Sequence, residues 1–195
     1  DALHAEGFSN LRELNLDGNL IADVGALPRL TGLAVLRLNN NVLTTQPFDA
    51  AAAVGAPSTP AGDARGGLAT LGALEVLQLG FNQISDMVTL RLHALPYLKI
   101  LHLQANEISR VDGLGSQNQL RELVLDRNKI KAVDAAAFAG LTSLRELRME
   151  ECSLRSLAHF GPLPLLGSLH LASNRIAELS ELDRLRALLL RFGLS

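Results

Sequence analysis

Few side chains in this sequence could carry chemistry. There is one cysteine, Cys152, and there are five histidines, His4, His93, His102, His159 and His170. A cysteine nucleophile needs a base or a cation that lowers its pKa, and Glu150, Glu151 and Ser153 around Cys152 supply neither. Zinc ligands at C-x-x-C or H-E-x-x-H spacing are absent, as are a Gly-rich phosphate loop and a G-x-S-x-G nucleophile elbow. The expectation is a protein that is not an enzyme and has no metal, no cofactor and no small-molecule substrate.

The segments that place these residues repeat. The pattern L-x-x-L-x-L-x-x-N-x-I/L starts at Leu11, Leu33, Leu74, Leu98, Leu120, Leu144 and Leu166. It is clearest in Leu120-Arg121-Glu122-Leu123-Val124-Leu125-Asp126-Arg127-Asn128-Lys129-Ile130. The Leu-x-Leu alternation is strand behaviour, with apolar side chains on one face and the intervening residues on the other. Three residues make no stable strand alone, so the coils must stack, pairing their strands into one parallel sheet over a continuous leucine core. Apolar residues then recur every third position, which suits 3₁₀ or short helical turns on the outer face. Steps of 24 residues, as from Leu74 to Leu98 and from Leu120 to Leu144, leave room for about two such turns. Asp86–Leu95 and Asp134–Leu141 are the segments expected to form them.

The ninth residue of each coil has a structural task. The chain turns inward there, and an amide supplies both a donor and an acceptor for the buried backbone. Asn19, Asn41, Asn82, Asn106, Asn128 and Asn174 should therefore form a ladder, with Cys152 in the same slot of the sixth coil as a buried, inert thiol.

These motifs resemble the leucine-rich repeat superfamily over the whole chain apart from one insertion. The 22-residue coils resemble the intracellular subclass of the nuclear regulatory subunit of protein phosphatase 1 and of a dynein light chain. The resemblance implies a horseshoe-shaped α/β solenoid, with a parallel sheet on the concave face and 3₁₀ or short helices on the convex face. It also implies a protein partner on the concave sheet.

The chain is expected to be a single leucine-rich repeat domain over residues 1–195, part of a longer protein because it starts at Asp1 without methionine. Residues 1–10 read first as the back half of a truncated repeat, and second as a short capping helix. The step from Leu33 to Leu74 is 41 residues, so residues 45–67, rich in Ala, Gly and Pro, read as an extruded loop. An eighth coil starts at Leu188, or in another register at Leu185.

Net charge is −2 and aromatics make up 4% of the chain, without a basic stripe or stacking platform. Direct nucleic-acid binding is therefore not expected, nor is membrane insertion, since no long apolar run occurs. A single cysteine and the lack of any N-x-S/T sequon suit a reducing interior. The expected location is cytoplasmic, with a cytoskeletal or ciliary setting implied by the resemblance.

Counting the first leucine of each coil as one, positions 2, 3, 5, 7 and 8 face the concave side or its edges. Coils two to four carry Val35, Val76, Ile100 and Phe81 beside Arg37, Gln78, His102 and Gln104, the composition of a protein interface. Val124 and Arg148 extend this set of partner-binding candidates. His102 and His170 share position 5 but lie three coils apart, roughly 14 Å, too far to share a metal. Coils five and six carry Arg121, Glu122, Asp126, Arg127, Arg145, Glu146, Arg148, Glu150 and Glu151. These read first as opposite charges facing each other across neighbouring strands, and second as a charged docking patch. The functional expectation is a non-catalytic interaction module or scaffold. Its alternatives are a regulatory subunit that docks a phosphatase or another enzyme, and a protein scaffold within an RNA particle.

Overall fold

The computed structural model describes residues 8, 10–24, 30–44 and 67–183. Most of the 45–67 insertion and both candidate starts of an eighth coil lie outside these residues, as does most of the proposed truncated repeat at 1–10.

Each repeat start leads into a three-residue strand: β1 Glu13–Asn15, β2 Val35–Arg37, β3 Val76–Gln78, β4 Ile100–His102, β5 Glu122–Val124, β6 Glu146–Arg148 and β7 Ser168–His170. They form one parallel sheet in sequence order. The register is constant, so the central leucines Leu14, Leu36, Leu77, Leu101, Leu123, Leu147 and Leu169 stand in one row. The insertion leaves this register undisturbed. Leu38 N–H still donates to Gln78 O at 2.8 Å, and Asn40 N–H to Gly80 O at 2.9 Å, as neighbouring coils bond elsewhere.

The leucines at positions 1, 4 and 6 of the middle coils are fully buried in one core that runs from Val24 to Leu163. Outer-face residues close it, among them Phe138 and Phe160, whose rings meet edge to face at 5.5 Å. The convex side is less regular than the spacing suggests. The segment around Asp86–Leu95 holds two 3₁₀ turns, Val88–Leu90 and Leu92–Ala94. They are separated by Arg91 in the left-handed region, φ +49°. The second expected segment, Asp134–Leu141, forms no helix: residues 135–140 are consecutive turns. Its Gly140 lies so close to the preceding coil that an added Cβ would sit 2.2 Å from Gly115 O.

The asparagine ladder forms coil by coil. Asn82, Asn106 and Asn128 each donate from Nδ2 to the position 6 carbonyls of their own and the preceding coil, Leu79 and Leu38, Leu103 and Leu79, Leu125 and Leu103, at 2.8–3.1 Å. Their Oδ1 atoms accept Leu43, Ile84 and Ile108 N–H at 2.9–3.0 Å. Asn41 and Asn174 bond in the same way, and Asn19 caps Leu16 O at 2.9 Å. Cys152 is buried in the shared slot. Its thiol donates to Leu125 O at 3.1 Å, and burial pushes its pKa up to about 11.

Candidate interaction face

Strand register determines which side chains share the concave face. Val35, Val76 and Ile100 lie directly opposite one another on β2, β3 and β4. All three are half-buried, with the remainder of each side chain open to solvent. Branched apolar residues on neighbouring strands pack laterally, and this lateral contact accounts for the half that is covered. The row is three strands wide, and Glu13 and Glu122 flank it at the same position. At its edge Phe81 is 46% exposed.

The polar residues beside this row are largely held in place. Arg37 pairs with Glu13 on β1. Gln78 Oε1 accepts from Asn39 Nδ2 at 3.2 Å. His102 Nε2 and Glu122 Oε1 are 2.8 Å apart. Gln104 folds over Gly80, where an added Cβ would sit 2.5 Å from its Nε2. The absence of a Cβ at Gly80 leaves the space that the tip of this flexible side chain fills. Gln104 Oε1 is buried without a hydrogen-bond partner, so this side chain acts as packing more than as a free polar contact.

One expectation needs correction, and a second holds in part. Val124 is not available as a contact residue: it is 7% exposed, because the register sets it between the longer His102 and Arg148. In coils five and six opposite charges face each other directly at position 8, where Arg127 pairs with Glu151 at 3.1 Å, but not at positions 2 and 3. Glu122 stands opposite Glu146, and Arg145 N–H bonds to Arg121 O, which sets the two arginines side by side. Further neutralisation runs diagonally. Arg148 is its centre, with Asp126 at 3.1 Å, Glu150 at 3.8 Å and Glu146 at 4.0 Å. The Asp126 hydrogen bond holds the Arg148 guanidinium above its ordinary pKa against the opposing effect of burial. His170 approaches Glu146 at 3.6 Å and Glu150 at 3.9 Å. Long side chains reach the next strand two positions along, and alternation of sequence does not encode that reach.

Sequence reasoning missed two regularities at the strand exits. Position 7 forms a second ladder: Asp17, Asn39 and Asp126 accept the backbone N–H of Asn39, Gly80 and Glu150 at 2.6–2.9 Å. Position 8 is left-handed in every coil, at Gly18, Asn40, Phe81, Ala105, Arg127, Glu151 and Ser173, with φ from +54° to +70°. The inward turn before each Asn requires it. A recurring Asp/Asn at position 7 was the one available signal.

Beyond this face, a shallow hollow on the flank is lined by Ser109, Arg110, Lys129, Lys131, Asp134 and Ser153. Arg110 pairs there with Asp134 at 2.7 Å and Lys129 with Glu107 at 3.1 Å. Among the described residues no group of three His, Cys, Asp or Glu side chains could hold a metal ion, and no helix is long and apolar enough to cross a membrane.

Comparison with known proteins agrees with this architecture. Leucine-rich repeat family models match residues 118–176 and residues 9–28. Podocan-like protein 1 of Mus musculus is 32% identical over 89% of the chain, and osteomodulin of Rattus norvegicus is 28% identical over 92%. The chain spans only 38% and 40% of the length of those relatives. Among solved structures, an internalin of Listeria monocytogenes superposes with a TM-score of 0.69 at 26% identity, covering 91% of this chain and 46% of that one.

Proposed function

We propose that this leucine-rich repeat solenoid is a non-catalytic protein-interaction module, and that it binds its partner on the concave sheet across coils two to four. The row Val35, Val76 and Ile100 carries the proposal. A solvated sheet face normally alternates apolar-in and polar-out, and here three consecutive strands break that rule at one position. Phe81 extends the apolar surface to the strand exits, and ion-paired side chains rim it, the arrangement of an interface core.

An intracellular setting belongs to this reading. Cys152 is a buried free thiol, and the described core is closed by leucines and asparagines without any cross-link. A cytoskeletal or ciliary assembly is the setting that the resemblance suggests. A regulatory subunit would use the same surface, and differs in that its partner would be an enzyme whose rate changes on binding.

The test is affinity capture with the full-length protein from its native cells. The wild type should retain a stoichiometric protein that Val76→Asp and Ile100→Asp both lose while keeping their circular dichroism and melting temperature. Retention of the same partner by both variants would overturn the proposal.

A further inference from the structure

The strand-entry edge of the concave face carries an unbalanced charge next to the apolar row. Position 2 of coils three to six holds Glu75, Lys99, Arg121 and Arg145. Lys99 is neutralised by Glu75 at 2.8 Å. Arg121 and Arg145 are exposed and make no ion pair among the described residues, although Arg121 N–H bonds to Lys99 O and Arg145 N–H to Arg121 O, both at 2.8 Å. The acids that could serve them are committed elsewhere: Glu122 to His102, and Glu146 to Arg148 and His170. Like charges on adjacent strands repel, so two unpaired guanidiniums side by side form a disfavoured arrangement that an incoming carboxylate would relieve. Two guanidinium forks also match carboxylate oxygens geometrically.

Resting on the concave-face reading above, we propose that the partner presents an acidic and apolar peptide segment. Its apolar side chains cover Val35, Val76 and Ile100, and its carboxylates engage Arg121 and Arg145 one and two coils further on. The register makes the two contacts contiguous, because Glu122, next to Arg121, is the strand neighbour of Ile100. A polyanion such as RNA fits less well. A bare phosphate backbone would leave the apolar row uncovered.

The test measures fluorescence anisotropy with labelled peptides of leucines on a Gly/Ser background, carrying glutamate, lysine or uncharged glutamine, and with a labelled oligouridylate. The glutamate peptide should bind at least about tenfold more tightly than the lysine peptide, and the preference should weaken with salt. Arg121→Glu with Arg145→Glu should abolish that preference, and Ile100→Asp should weaken all three peptides. Both variants alter exposed or half-exposed positions, and unchanged melting confirms the fold. Equal binding of glutamate and glutamine peptides, no effect of the double reversal, tighter binding of oligouridylate, or no peptide binding up to millimolar concentration would overturn the inference. The concave-face reading would still stand if native partner capture remained sensitive to Ile100→Asp, and would fall with the inference if it did not.

Discussion

Cys152 Sγ donates to Leu125 O at 3.1 Å, the contact that an asparagine Nδ2 makes to the preceding coil in its neighbours. The thiol thus reproduces half of the ladder bond. It has no amide oxygen to return to Ile130, whose counterparts Ile108 and Leu154 both donate to an asparagine Oδ1 at 3.0 Å.

Cys152→Asn should therefore stabilise the solenoid by about 1 kcal/mol, the net worth of one internal hydrogen bond. The backbone of the sixth coil keeps the register of coils that already house asparagine. Chemical denaturation should show a higher midpoint with an unchanged slope. A loss of stability instead would show that the slot has been reshaped around sulfur.

Burial also gives Cys152 a pH signature. Its folded pKa, about 11, lies above its ordinary value of 9.0, so the folded state holds its proton where the unfolded chain has lost it. The neutral thiol costs nothing below the unfolded pKa. Stability should then fall between about pH 8.5 and 11, by up to roughly 2 kcal/mol. Wild type minus Cys152→Ala isolates this contribution, since all other groups titrate in both. A difference that stays constant over that window would contradict the burial of the thiol.

The Gly140–Gly115 contact predicts a sharp contrast between two glycines. Gly140→Ala would place its Cβ against the Gly115 backbone and should cost at least about 2 kcal/mol, as overpacking does. Gly72→Ala meets nothing within 4 Å and should be close to neutral. Thermal melting of the two variants side by side checks this, and equal melting temperatures would refute the close approach.

The core was legible because leucine periodicity specifies which residue of each coil points inward. Leu33, Leu74, Leu98, Leu120 and Leu144 all start coils and are all fully buried. The asparagine ladder was legible for a related reason: a buried turn needs one side chain with donor and acceptor together. The left-handed residue at position 8 was hidden, since only Gly18 and Asn40 among its occupants have residue types that favour positive φ. In Phe81, Arg127 and Glu151 the stacked hydrogen bonds of neighbouring coils impose the conformation against local preference. The burial of Val124 was equally hidden, because it depends on how far His102 and Arg148 reach across the sheet. The same reach set the diagonal ion pair of Arg148 with Asp126. Arg121 and Arg145 stand out only once such pairs have been assigned.

The central claim is that the half-buried apolar row on β2 to β4 is a protein-binding surface. Partner capture by the full-length protein, wild type against Ile100→Asp, tests it most directly. The account predicts that the variant folds and melts as the wild type does and loses its stoichiometric partner. An Ile100→Asp protein that retains the partner at wild-type yield would contradict it.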